Sequence, residues 1–399
     1  MSKKRVIMFA IVLILLVAVN CASAQKSTLP PIKIGCLTSL SGPFVVWGDP
    51  IAKGMRFAVE ELNEAGGVLG RKVVLAERDT KGSPAEALTS LKGLVERERV
   101  VAVGGIVSSG VGMACASEAE VMRIPLLLGF AGSPAILSKG SRYTFRTNLV
   151  AAPMLIDCYG PFIEARGFKR VGVISADYAW GHAINAAIKE KMVPLPNMRV
   201  QIEVAPVPEK DFTTYLRRLE PLKSEILILT GHPPGEYVAA KQAFEMGTAP
   251  YATFSGGGEE VFMDRIGKLG FNRVIDFASA DFEAPAYQDL ADRYYRAFGA
   301  LFGSSAFSGY VSVKMVADAI AQTKSDDPKV IADFVHKGRF IQPGYAFPLS
   351  YTEWGELKEA SYVLFTLEEG DPGRINPGAG WRPKVLFRSP RLEPYVPEK

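Results

Sequence analysis

The 399-residue chain predicts two doubly wound α/β lobes, each a parallel sheet covered by helices. Short apolar runs alternate with segments of helical period from residue 32 to residue 130, and the same alternation restarts at 171 and continues to 268. The runs Pro125–Leu128 and Ile226–Leu229 are apolar without interruption, as strands buried on both faces are. The length points the same way, because a single core stops growing near ~250–300 residues.

Residues 1–24 read as a signal peptide. Lys3, Lys4 and Arg5 precede the uncharged run Val6–Val19, and Ala22-Ser23-Ala24 offers the small residues that a signal peptidase accepts. That run is shorter than the ~20 apolar residues a membrane-spanning helix needs. A lipid anchor at Cys21 is the lesser alternative, because Asn20 stands where a small residue is expected. Removing the segment takes away three positive charges and no acids, so the formal charge of +4 falls to about +1. With no basic cluster left, neither nucleic acid nor an anionic membrane is an expected partner.

The first lobe opens with strand Ile32–Leu37 and helix 50–65, which Gly66-Gly67 caps. Strand Val73–Ala76 follows, then a helix opened by Ser83-Pro84-Ala85-Glu86, a capping box with proline in the first turn. Strand Val100–Ile106 leads through Ser108-Ser109-Gly110 into a small-residue helix, and Ile124–Phe130 is the fourth strand. The second series is strand Val171–Ser175, helix 181–192, strand Arg199–Val204, helix 211–222, strand Ile226–Thr230, helix 235–246, strand Tyr251–Ser255 and helix 259–268. Helices at 285–302, 307–322 and 328–337 come next, then strand-like Tyr345–Ser350 and Ala360–Leu367 around a Trp354-Gly355 turn. From residue 370 the chain lacks periodicity and reads as an extended tail.

Enzyme motifs fail on inspection. Gly110-Val111-Gly112-Met113-Ala114-Cys115 approximates a dinucleotide loop, but no acid ends the following strand to hold a ribose. Ile106 stands where a nucleophile elbow requires Gly. The three His and four Cys form neither HExxH nor CxxC, so no metal site and no cofactor are expected. Cys36, Cys115 and Cys158 read as buried, unreactive thiols.

Ligand contacts are expected at strand ends instead. Ser108 and Ser109 sit at a strand-to-helix turn, where hydroxyls and free N–H groups favour an anion, although serine there also serves as a plain helix cap. Phe130, Ala131, Gly132 and Ser133 end the fourth strand beside them. Trp47, Tyr178 and Trp180 are aromatics at other strand ends, and His232 occupies one more.

Ordered pieces of the chain resemble the periplasmic substrate-binding proteins of branched-chain amino-acid ABC transporters. These are Ile32-Lys33-Ile34-Gly35, Leu40-Ser41-Gly42-Pro43, Gly48-Asp49, Asn63-Glu64-Ala65-Gly66-Gly67, Gly70-Arg71-Lys72, Asp79, Phe145-Arg146-Thr147, the stretch from Tyr178 to Gly181, Lys210-Asp211-Phe212 and Trp354-Gly355. The resemblance implies the type I periplasmic-binding fold, with three crossovers near 148, 278 and 347. Lobe 1 is then 31–147 plus 279–346, and lobe 2 is 148–277 plus 348–399. It also implies export to the periplasm, a monomer, a small carboxylate-bearing ligand held between the lobes, an inner-membrane permease as partner, and no catalysis. A ligand sensor of a signalling system with the same fold is the alternative. Of the family's carboxylate contacts, Ser108 matches the serine, whereas Gly132 stands where a threonine belongs, with Ser133 adjacent. The family's acidic acceptor for the ligand ammonium falls on Gly256–Gly258, leaving Glu259 as the nearest substitute. Lost ammonium recognition and added aromatic surface shift the expected ligand toward organic or aromatic acids.

Overall fold

The computed structural model describes residues 29–231, 235–254, 262–263 and 265–398, and on these the expected fold class is borne out. The signal-peptide and Cys21 readings, His232 and Glu259 lie outside the described residues.

Five parallel strands form the first sheet, in the order β2-β1-β3-β4-β5. They are β1 (Ile32–Thr38), β2 (Val73–Asp79), β3 (Val103–Ile106), β4 (Leu126–Leu128) and β5 (Thr144–Arg146). Helix α1 (Val45–Glu64) buries Trp47, Ile51, Met55 and Ala58 on one face, as their helical spacing requires. It starts ahead of the expected residue 50, because Pro50 lies inside the helix rather than at its first position. Helix α2 (Pro84–Lys92) begins as the capping box predicts, with the Ser83 hydroxyl accepting the Glu86 N–H at 3.5 Å. Helix α3 (Ser109–Met122) follows β3.

The second sheet has seven strands in the order β14-β13-β10-β9-β8-β6-β7. Those from β6 (Arg170–Ala176) through β7 (Arg199–Ala205), β8 (Ile226–Thr230) and β9 (Tyr251–Thr253) to β10 (Val274–Ala278) are parallel. Strands β13 (Val363–Glu369) and β14 (Trp381–Arg388) add an antiparallel edge. Helices α4 (Ala152–Ala165), α5 (Ala179–Lys191), α6 (Thr213–Leu219) and α7 (Gly235–Met246) alternate with the parallel strands. Helices α8 (Pro285–Phe298), α9 (Ser304–Thr323) and α10 (Pro328–Lys337) then return to the first sheet, α9 lying along α1. A two-stranded ladder, β11 (Arg339–Phe340) with β12 (Leu349–Ser350), follows.

The chain crosses between the sheets at 147–151, 279–284 and 351–362. The crossings are laced together: Tyr345 and Tyr362 donate their hydroxyls to the carbonyls of Thr147 and Asn148, and the Ala346 N–H donates to Ser279 O at 2.7 Å. The sequence hands the chain to the second lobe at 348. In the structure Gly355 still accepts the Arg146 N–H at 3.2 Å, and the chain joins the second sheet only at Val363.

Three elements escape the sequence pattern. Strand β5 is only three residues long and contains Arg146. Helix α4 carries Gly160-Pro161 in its interior, a pair that reads as a turn. The expected formless tail contains β14, whose Arg382, Lys384 and Pro383 suit a sheet edge paired on one side. Among the described residues no helix is long and apolar enough to cross a membrane.

Cys36, Cys115 and Cys158 are free and buried. Burial pushes the Cys115 and Cys158 thiols up to about 12, and Cys36 higher still. The folded mature protein is therefore expected to leave a disulfide-exchange reagent such as DTNB unconsumed at neutral pH, with all three thiols titrating in concentrated guanidinium. Rapid labelling of the folded protein would contradict this burial.

Candidate functional site

Each lobe presents an aromatic wall that begins with a Trp-Gly pair. After β1 the chain turns through Leu40-Ser41-Gly42, a loop held by the Asp79 carboxylate. That carboxylate accepts the N–H groups of Leu40 (2.9 Å), Ser41 (3.3 Å) and Lys81 (2.8 Å) and the Ser41 hydroxyl (2.6 Å). Partial burial pulls the Asp79 carboxyl upward, but these hydrogen bonds outweigh it and hold the group below its ordinary range. Trp47 follows on the first turn of α1. A Cβ on Gly48 would stand 2.0 Å from Ser39 O, so only glycine lets the helix start tuck against the strand end. Trp180-Gly181 repeats the device after β6, where a Cβ on Gly181 would stand 1.9 Å from Ala176 O.

On the first lobe Trp47 and Phe130 lie parallel, with ring centroids 6.1 Å apart, and Phe44 stands 6.3 Å from Trp47. Trp47 is buried, and its Nε1–H has no acceptor among the described residues. The loops after β3 and β4 run side by side, because the N–H groups of Gly129 and Phe130 both donate to Ile106 O. The Ser109 hydroxyl accepts the Ser133 N–H at 3.1 Å and ties them together. Ser108 caps α3 by accepting the Val111 N–H at 3.2 Å, and Ser133 accepts the Ala135 N–H at 3.4 Å. The structure therefore gives Ser108 its capping role. A hydroxyl that accepts in this way keeps its own proton free to donate. Ala131 is fully buried and packs inward.

Arg146 holds this ledge from beneath. Fully buried, it pairs Nε to Glu356 Oε2 at 2.9 Å and donates its terminal nitrogens to the carbonyls of Ala131 and, at 2.8 Å, Ser133. Burial raises the Glu356 carboxyl above its ordinary range, although the Arg146 charge acts in the opposite sense. Sequence reasoning noted Phe145-Arg146-Thr147 only as a point of resemblance. A signal was available, since a charged residue inside a buried strand needs a partner.

On the second lobe the Trp180 indole donates Nε1–H to Thr230 Oγ1 at 2.8 Å. Its ring lies against Gly132 of the first lobe, where a Cβ would come within 2.2 Å of it. Tyr178 meets Phe44 across the cleft with centroids 5.8 Å apart. The structure thus joins Trp47 with Phe130, Gly132 with Trp180, and Tyr178 with Phe44, while Ser108, Ser109 and Ser133 edge the ledge. Glu236 was missed altogether. It lies fully buried on the first turn of α7, and its charge, after burial itself, raises the Tyr178 phenol. An acid at a helix start reads as dipole capping, which conceals a buried carboxylate in the sequence.

Two sheets joined by three crossings, with aromatic side chains of one lobe packed against the other, make a two-lobed α/β protein. The family described as periplasmic binding protein matches residues 31–364, and the chain belongs to that family. It is 26% identical to Leu/Ile/Val-binding protein homolog 8 of Brucella suis over 332 residues, 79% of this chain and 82% of the relative. A leucine binding protein from Thermotoga maritima superposes with TM-score 0.76 at 19% identity, covering 90% of this chain and 99% of that one. A solute binding protein of an ABC transporter from R. palustris, in complex with benzoate, gives TM-score 0.78 at 18% identity, covering 92% and 98%. The fold is that of ABC-transporter solute-binding proteins, which bind small molecules and work with permeases.

Replacing Arg146 by Met leaves Glu356 buried without its counter-charge, and is expected to cost about 3–5 kcal/mol in urea unfolding. The carboxyl pKa then rises further, and a raised carboxyl pKa weakens the fold as pH climbs through it, so the variant should lose more at pH 8 than at pH 5. Arg146→Met with Glu356→Leu should recover part of the loss. A double variant as unstable as the two single losses added together would contradict the ion-pair account.

Proposed function

We propose that the protein is an exported, monomeric solute receptor of an ABC importer, and that it captures a small carboxylate with an aromatic or apolar body. The carrying observation is the Trp47 indole N–H, buried beside Phe130 and lacking an acceptor among the described residues. An unsatisfied buried donor costs about 1–3 kcal/mol, which a ligand oxygen would offset. The ledge beside it adds the hydroxyls of Ser108 and Ser109, oriented as donors because their oxygens already accept backbone N–H groups. Residues 129–133 and 108–110 contain no acid, so an anion meets no like charge from them. Phe44, Trp47 and Phe130 on one side, and Tyr178 and Trp180 on the other, suit a flat apolar body. The serines act as donors rather than nucleophiles, and binding involves no covalent step.

Glu236 favours a second reading, in which the ligand is an α-amino acid whose ammonium is drawn to this buried carboxylate. The names of the Leu/Ile/Val-binding relatives point the same way.

Thermal-shift and calorimetric titrations of residues 25–399 with benzoate and with leucine separate the two. Ligand at 100 times its Kd adds about 2.7 kcal/mol to the folded state. The aromatic-acid reading expects benzoate to stabilise the protein and Trp47→Phe, which keeps the ring but removes the N–H, to weaken it about tenfold, or about 1.4 kcal/mol. Stabilisation by leucine alone, abolished by Glu236→Gln, would overturn that reading in favour of the second.

A further inference from the structure

We propose that Gly132 and Trp180 form a size-matched pair across the cleft that sets how readily the lobes close, and thereby how tightly a ligand is held. The inference rests on the reading of the protein as a solute receptor, and it adds the residues that govern closure.

Gly132 belongs to the first-lobe ledge, whereas Trp180 stands on the first turn of α5 in the second lobe. A Cβ at position 132 would lie 2.2 Å from Trp180 Cζ3 and 2.9 Å from Cε3, and 2.8 Å from Leu149 Cδ2. The smallest side chain therefore collides with the edge of the indole. Both partners are held in place. The indole is pinned through its Nε1–H to Thr230 Oγ1 at 2.8 Å. The helix that carries it is pressed onto Ala176 O at Gly181. The Gly132 carbonyl accepts the Ala152 N–H at 3.1 Å, and Arg146 holds the carbonyls on both sides of it, those of Ala131 and Ser133.

A contact between two rigid surfaces gives way by separating them, so a side chain at 132 acts as a wedge between the lobes. Observed affinity scales with the fraction of molecules able to adopt the binding conformation. Loss of the Gly132 contact therefore lowers affinity through closure, over and above any contact that the ledge or the indole makes with the ligand. The ring also covers the ledge, so a larger residue at 132 and the indole at 180 exclude one another.

The test is a double-mutant cycle on the mature protein with Gly132→Ala, Trp180→Phe and the pair, each checked by circular dichroism for folding. Small-angle scattering without added ligand reads closure, and titration with benzoate reads affinity. Gly132→Ala alone should enlarge the radius of gyration and weaken benzoate binding about tenfold. In the Trp180→Phe background, where the ring is smaller and only the Leu149 contact stays as close, the same substitution should change both quantities clearly less. The pair is refuted if Gly132→Ala scatters and binds like the parent, or if it costs as much in the Trp180→Phe background. Should benzoate fail to bind the parent, the aromatic-acid reading falls, and the scattering arm decides the closure pair by itself.

Discussion

Arg146 carries its charge to a place that water does not reach, and three protein oxygens are arranged around it. One belongs to Glu356, far along the chain within the third crossing; the other two are carbonyls of the ledge. Breaking such a pair leaves an uncompensated charge in a low-dielectric interior, so the geometry tolerates little slack. The consequence reaches the cleft directly. The loop carrying Gly132 and Ser133 is fixed from beneath by the same side chain that recruits residues 355–356 to the first lobe, and the path of the chain between lobes and the shape of the ligand wall share one support.

Above that support the two walls are built alike. Each lobe places a tryptophan on the first turn of the helix after its first strand, and each follows it with a glycine that lets the helix touch the strand's last carbonyls. One indole, Trp47, keeps an N–H without an acceptor among the described residues, whereas the other, Trp180, spends its N–H on Thr230 and sets its ring edge against Gly132. In the proposed reading the first wall supplies the polar recognition and the second adds ring contact and closure.

The alternation of strands and helices was legible because buried parallel strands and amphipathic helices impose their periods on the sequence. Capping was legible too: Ser83 and Ser108 stand where local chemistry places them. Elements whose reason is tertiary were not. Strand β14 is an edge whose charges and proline suit its exposure, α4 hides behind Gly160-Pro161, and β5 is short and charged. The same division runs through the site. Trp47, Gly132, Tyr178 and Trp180 stand out as candidates from their positions at strand ends, but the contacts of Gly132 with Trp180 and of Tyr178 with Phe44 depend on how two lobes meet, which no local pattern encodes. Arg146 and Glu356 are separated by 210 residues, and Glu236, an acid on the first turn of a helix, carries no local sign of its burial.

The central claim is that ligand sits between the Ser108 and Gly132 loops of one lobe and the Tyr178–Trp180 turn of the other. Its most direct test is hydrogen–deuterium exchange of the mature protein with and without a mixture of aromatic, aliphatic and amino acids, combined with mass spectrometry of whatever remains bound. The account predicts a retained carboxylate and new protection at 106–112, 129–134 and 176–182 together. Protection confined to one lobe, or centred instead on the groove between Phe282 and Lys384, would contradict it.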